Sequence, residues 1–307
     1  MQQPQSPIIS KRQILIGAGF VLIAALGFSA KAVIIKLAYQ CDQTVDAITL
    51  MALRMVMALP AFLLVAIWQG KQNHEDVLRG KDWFGVLILG AVGYYWSSLL
   101  DFTGLLFISA GLERVILFLY PTFVILFSAI IFRQPISLRV LLALLIGYSG
   151  MLVVFIENMQ MDSVNVLKGS VLVFSSAISF ALFLIGSGVM IKRMGSARFT
   201  ALSMSVACLV TLVHFAISHE LNVPSFSGKI YALAGLMAVF STILPAFLMN
   251  AGIRRIGSGT ASIISSTGPV GTLFLSWFFL QETITWVQIG GTLLVLTGVY
   301  IASQARS

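Results

Sequence analysis

The sequence predicts an all-α, polytopic membrane protein whose ten transmembrane helices form two inverted five-helix repeats. Three observations carry this reading. The 307 residues are 58% hydrophobic and only 10% charged, whereas a soluble domain carries about 25% charged residues. Ten apolar runs are long enough to cross a bilayer, which takes roughly 20 mostly apolar residues. A block of the first half also recurs in the second half without a gap, 148 residues later.

The expected spans are 14–36, 45–68, 83–106, 110–132, 138–156, 168–190, 199–217, 230–250, 259–280 and 285–303. Lys11-Arg12 before the first span resembles the start of a cleavable signal. The run is long for one, and Phe28 sits where a small residue would precede a cut after Ala30, so it is read as a retained helix. The polar breaks are short, and the one near Glu157 divides the chain into repeats 14–156 and 168–303. With the N-terminus placed inside, 13 Lys and Arg fall in inside segments and 3 outside. That bias puts both termini in the cytoplasm of a bacterial inner membrane. Trp68, Trp83 and Tyr300 then mark the inner interface, and Tyr39, Tyr231 and Trp286 the outer one.

The net charge of +8 lies scattered between apolar runs. It is read as a topology signal, so no nucleic-acid partner is expected; the partners are the lipid bilayer and a small-molecule substrate, and a homodimer is compatible. Cys41 and Cys208 lie on different runs and are read as isolated thiols. No cofactor or metal is expected.

The repeat runs from Gly104 to Gly150 and from Gly252 to Gly298, with nine identities in 47 positions. Pro121 and Pro269 are among them. An odd number of spans per half forces the second copy in upside down, the design of many secondary transporters. Each proline frees a carbonyl four residues earlier, on Leu117 and Ser265. Two readings stand: a packing kink, or a kink bordering a substrate cavity where Ser265, Ser266 and Thr267 supply hydroxyls. Gly147, Gly150, Gly290, Gly291 and Gly298 are read as close-approach positions between helices.

Five ionisable residues fall within spans. At 1.5 Å per residue, Arg54 lies roughly 13 Å from the outer end, Lys31 and Asp101 roughly 7 Å, and Glu113 and Arg114 roughly 4–6 Å. Buried charge is costly in a membrane and marks candidate sites. Glu113, Arg114 and Asp101 align with Ala261, Ser262 and Met249, so the second half is built without these charges. They are read either as an outer salt-bridge cluster or as the charged rim of a substrate path. Glu113 and Arg114, adjacent on one helix, are expected to point about 100° apart and to seek partners among Lys31, Arg54 and Asp101. Three cations against two anions favour an amino-acid-like or carboxylate cargo. Tyr94, Trp96 and Tyr120 are aromatic pocket candidates, with packing as the alternative.

The runs Ile108 to Arg114, Leu119 to Pro121, Phe132 to Ser137 and Gly147 to Gly150 resemble the second part of an EamA-type domain. Gly257 to Ser262, Gly268-Pro269, Leu280 to Thr285 and Leu296 to Gly298 resemble the same block again, and Leu50 to Arg54 resembles the arginine-bearing second helix. The resemblance implies the drug/metabolite transporter superfamily, with a central cavity between the halves, in which exporters or exchangers of small organic molecules predominate. Glu113-Arg114 departs from the small apolar residues usual there. Two rival functions remain at this level. Gly147-Tyr-Ser149-Gly150 matches the serine motif of rhomboid-type proteases and His214 lies in the seventh span, but Ser149 aligns with Thr297, as packing residues would. A passive channel is the other.

Overall fold

The computed structural model describes residues 11–72, 78–131, 133, 138–159, 163–219, 226–265 and 268–304; Ser266 and Thr267 lie outside them. In hydrocarbon a backbone must satisfy its own hydrogen bonds, so apolar runs of this length become helices. No strand occurs among the described residues. The crossings are α1 (Lys11–Cys41), α2 (Ala47–Gln72), α3 (Gly80–Gly104), α4 (Ala110–Ile131), α5 (Leu138–Met159), α6 (Ser163–Met194), α7 (Ser196–Ser218), α8 (228–256), α9 (described over 258–265 and 268–280) and α10 (Trp286–Gln304). Among the described residues nine helices are long and apolar enough to cross a membrane, and α10 contributes a shorter apolar stretch, Trp286–Gly298. Gly257, at φ 79°, separates α8 from α9.

Many large apolar side chains face outward. Leu15, Leu64, Ile130 and Ile217 are all exposed, as suits side chains solvated by lipid. The interior is studded with hydroxyls. Ser176 and Ser97 bond at 3.0 Å between α6 and α3, Ser29 donates from α1 to the Gly268 carbonyl at 2.8 Å, and Asn250 donates from α8 to Thr200 on α7 at 2.8 Å. Such bonds between helices hold a bundle where no hydrophobic drive operates.

The two halves repeat in detail. A π-helical segment interrupts α3 at Gly90–Trp96, and another interrupts α8 at Val239–Ile243. The offset of 148 residues carries the first segment onto 238–244. Arg133 and Gln281, also 148 apart, end α4 and α9 with positive φ of 51° and 56°. The halves also interlock. A methyl group on Gly104 of α3 would lie 2.6 Å from Val173 and 3.1 Å from the Gly169 carbonyl on α6. One on Gly252 of α8 would lie 2.4 Å from Val21 and 3.0 Å from the Gly17 carbonyl on α1. Each third helix therefore leans on the first helix of the other half, while α2 packs on α7 and α5 on α10.

Two sequence expectations are corrected. Tyr39 is not a lipid anchor: its hydroxyl donates to the Phe102 carbonyl at 3.0 Å, tying α1 to α3. Pro121 does not kink a continuous helix, whereas the approach to Pro269 lies outside the described residues. The chain breaks at Phe118-Leu119 and a new helix starts at Tyr120, so Pro121 sits in a first turn, where its missing N–H costs nothing.

Candidate functional site

A cavity of about 60 Å³ lies where α1, α2, α3, α4, α6, α7, α8 and α9 meet. That is room for a few water molecules or one small polar group. The π segments bring their own residues to it, Gly93 and Tyr94 from α3 and Ser241 and Thr242 from α8. The break in α4 brings Phe118 and Tyr120, and α9 brings Ser265. Departures from regular helix are tolerated in hydrocarbon where they line a cavity, and π segments recur at functional sites.

Arg54 is the outstanding group of this cavity. On α2 the buried positions Leu50, Met51, Arg54, Met55, Ala58 and Phe62 follow helical spacing, so the guanidinium is carried inward with the packing stripe. The residue is 3% exposed. Its Nη1 lies 3.5 Å from Thr242 Oγ1, and its guanidinium carbon lies 4.7 Å from the centre of the Phe102 ring. Nε and Nη2 have no hydrogen-bond partner among the described residues. A buried fork of donors without a carboxylate is costly unless an anion arrives.

Lys31 and Arg114 also line the cavity and connect it to two carboxylates behind its wall. Lys31 Nζ lies 2.6 Å from Asp101 Oδ2. Arg114 Nη2 donates to the Phe28 carbonyl at 2.8 Å, and its Nε lies 3.4 Å from Glu113 Oε2. The expectation that Glu113 and Arg114 could not meet is thus corrected. Neighbouring positions diverge on a helix surface, but both side chains are buried and long enough to curl back together.

Of the predicted site residues, Lys31, Arg54, Tyr94, Arg114 and Tyr120 surround the one cavity. Asp101 and Glu113 stand one layer behind it, in contact with Lys31 and Arg114. Trp96 is not among the lining residues. It is 49% exposed, because the π segment turns Tyr94 inward against Phe183 and leaves Trp96 on the outer surface. Tyr120 bonds to the Ser265 hydroxyl, linking α4 of one half to α9 of the other. Ser149 is exposed and donates to the Ile146 carbonyl, while His214 bonds Tyr95 at 2.9 Å, so each member of the suggested catalytic pair is engaged elsewhere.

Sequence reasoning missed Glu282. From the α9–α10 connection it accepts from the backbone N–H groups of Ala110 and Gly111 at 3.1 and 3.3 Å, capping α4 across the interface between halves. A carboxylate is favoured at a helix N-terminus. Glu282→Ala is expected to destabilise the protein by about 1 kcal/mol, read as a lower midpoint of thermal unfolding in detergent; an unchanged midpoint would mean that the cap contributes nothing. With the Lys31–Asp101 pair and the Tyr39–Phe102 bond, this contact draws one end of the bundle together. The other end holds a vestibule of about 980 Å³, lined by Lys192, Arg193, Arg254, Arg255 and the Gly257 break.

The family model described as "EamA-like transporter family" matches residues 15–156 and again 167–304. "Uncharacterized transporter YcbK" of Bacillus subtilis (strain 168) is 31% identical, over 94% of each chain. "Uncharacterized inner membrane transporter YicL" of Salmonella typhimurium is 25% identical, over 92% of this chain and 93% of its own. A solved structure titled "Crystal structure of protein" superposes with a TM-score of 0.67 at 17% identity, over 96% of this chain and 97% of that one, a likeness of fold.

Proposed function

We propose, from the premise that the chain belongs to the EamA-like transporter family, that it is a secondary transporter carrying small carboxylate-bearing metabolites by alternating access. The observation that carries the choice of cargo is Arg54, a buried guanidinium facing the central cavity with two donor nitrogens unpartnered among the described residues. Lys31 and Arg114 add positive charge to the same cavity, and Ser97, Ser98 and Thr242 add hydroxyls. A cargo carboxylate satisfies the fork of Arg54, and its remaining polar groups meet the hydroxyls.

The excess of Lys and Arg, 13 against 3, supports cytoplasmic termini in a bacterial inner membrane. The basic vestibule then faces the cytoplasm, and the end drawn together by Lys31–Asp101 and Glu282 faces outward. The conformation is outward-closed. Exchanging the conformations of two inverted halves converts it into the opposite state, and a cytoplasmic vestibule suits an exporter or exchanger.

Thermal unfolding of the purified protein against a panel of metabolites tests this reading. A ligand bound only by the folded state adds about 2.7 kcal/mol at a hundred times its Kd. Carboxylates are expected to raise the midpoint, and their methyl esters and amides are not. Stabilisation by esters and acids alike would remove the carboxylate from the recognition.

A further inference from the structure

The vestibule carries charge that the central cavity does not account for. Four cations line its 980 Å³, Lys192 and Arg193 from the end of α6 and Arg254 and Arg255 from the end of α8, and no acid is among its lining residues. Two of the four are fixed in its wall. Arg193 Nε lies 2.7 Å from Asp82 Oδ1. Arg255 Nη1 donates to the Ala251 carbonyl at 2.8 Å, and its guanidinium carbon lies 4.9 Å from the centre of the Phe20 ring. The side chains of Lys192 and Arg254 are exposed and have neither a hydrogen bond nor an ion pair among the described residues. The first turn of α9, Ser258 to Thr260, lines the chamber too, and a helix start favours negative charge. Between these groups the wall is apolar, with Ile185, Val189 and Ile253.

The internal repeat separates this charge from the needs of the scaffold. At the offset of 148, Arg254 and Arg255 correspond to Leu106 and Phe107. At the offset of 152 that carries Gly17 and Val21 onto Gly169 and Val173, Lys192 and Arg193 correspond to Gln40 and Cys41. The same helix ends are built without a cation in the other copy. Orientation in the membrane explains why cations sit on this side. It does not explain why four of them line one chamber.

We propose that the vestibule is a second anion-binding site, in which Lys192 and Arg254 capture a small soluble carboxylate from the cytoplasm before it reaches Arg54. The central cavity, at about 60 Å³, has no room for a metabolite in this conformation. The vestibule has the size of a small-molecule site, roughly 300–1,000 Å³. With Arg193 matched by Asp82, it keeps the charges of Lys192, Arg254 and Arg255. The cavity keeps that of Arg54 alone, because Lys31 and Arg114 are matched by Asp101 and Glu113. The wide, strongly charged chamber gathers anions through a field that salt screens. The narrow one holds a single anionic group on an oriented fork. Capture is one-sided. An outer mouth formed by the mirrored motion presents Gln40, Cys41, Leu106 and Phe107 in place of the four cations, so a released anion is not gathered back. This place on an export path rests on the transport reading; the anion site itself does not.

Charge-selective labelling of the full chain, in nanodiscs of phosphatidylcholine, reads the site without transport. Thr260→Cys in a Cys41→Ser background places a thiol in the vestibule wall; Ser258→Cys serves should the first variant fail to fold. At low salt an anionic sulfonatoethyl methanethiosulfonate is expected to react at least about tenfold faster than a cationic trimethylammonium one, each relative to its rate with a free thiol. About 1 M salt, where the screening length falls to about 3 Å, should collapse that ratio. Lys192→Gln combined with Arg254→Gln should lower it several-fold. Succinate should slow the labelling, and dimethyl succinate should not. A ratio near one at low salt, or one unchanged in the double variant, would overturn the site. Protection by succinate that disappears in discs containing phosphatidylglycerol would overturn it too, since lipid headgroups would then hold the vestibule. Flux in proteoliposomes tests the capture role. The double variant should raise the half-saturating concentration on the cytoplasmic side several-fold and remove its dependence on ionic strength; on the external side the wild type should show little such dependence. Charge-selective labelling without carboxylate flux in the wild type would remove the transport reading and leave the anion site. Flux with an unchanged cytoplasmic half-saturation in the double variant would remove the capture role alone.

Discussion

Arg54→Met is expected to raise the thermal stability of the protein while removing its response to carboxylate ligands. A charged side chain at the centre of a membrane helix costs about 2.5–3.5 kcal/mol. The Phe102 ring at 4.7 Å and the long contact to Thr242 at 3.5 Å offset only part of that. Methionine has a similar length and no charge, so the ligand-free protein gains on the order of 2 kcal/mol. The same change leaves a cargo carboxylate buried without its counter-ion. Losing one partner of a buried charged pair costs about 2–5 kcal/mol, a loss of affinity from about thirtyfold to beyond a thousandfold. Arg54→Lys should fall between, since a point charge cannot present the planar fork. Midpoints of unfolding with and without ligand separate the two effects. A variant that is less stable yet still stabilised by carboxylates would assign Arg54 a scaffold role.

Gly150→Ala is expected to be strongly damaging although it lies outside the cavity. A methyl there would lie 2.5 Å from the Gly291 carbonyl oxygen, 2.6 Å from Leu294 Cβ and 3.0 Å from the Val295 nitrogen. The first and third of these are backbone atoms of α10, which cannot turn aside as a side chain can. The helices must separate, at a cost of about 3 kcal/mol. Gly147→Ala, one turn away on the same helix, meets nothing within 4 Å and should be close to neutral. Unfolding of the two variants in parallel checks the contrast. Equal effects would show that α5 and α10 do not pack through this seam.

The contrast between those two glycines illustrates what the sequence disclosed and what it withheld. Gly147 and Gly150 read alike as small residues on an apolar run, and only the position of α10 distinguishes them. The ten runs and the copied block were legible because hydrophobic length and fixed spacing are local properties. The π segments were not. Gly90–Trp96 and Val239–Ile243 share an aligned position but no motif, and an added residue in a helical turn leaves no compositional trace. Gly17 and Val21 recur as Gly169 and Val173 at a different offset, 152, so the match of α1 to α6 emerged only from their contacts with Gly252 and Gly104.

The site was legible to the extent that charge in a membrane is conspicuous. Lys31, Arg54, Asp101, Glu113 and Arg114 were found by their cost alone. Which of them line the cavity and which stand behind it depends on rotation about each helix axis, and that is fixed by tertiary packing. Trp96 illustrates the limit, since the π segment resets the facing of every residue after it. Glu282 illustrates another. A carboxylate in a connection between spans reads as an ordinary solvated residue until the N-terminus of α4 is placed beside it.

Alternating access through one cavity makes a demand that no pore shares. In proteoliposomes holding the purified protein, entry of labelled small carboxylates should saturate with concentration. It should also accelerate when the same unlabelled compound is placed on the far side, because each return of the loaded carrier brings the cavity back. Flux that rises in proportion to concentration and ignores the far side would contradict the account.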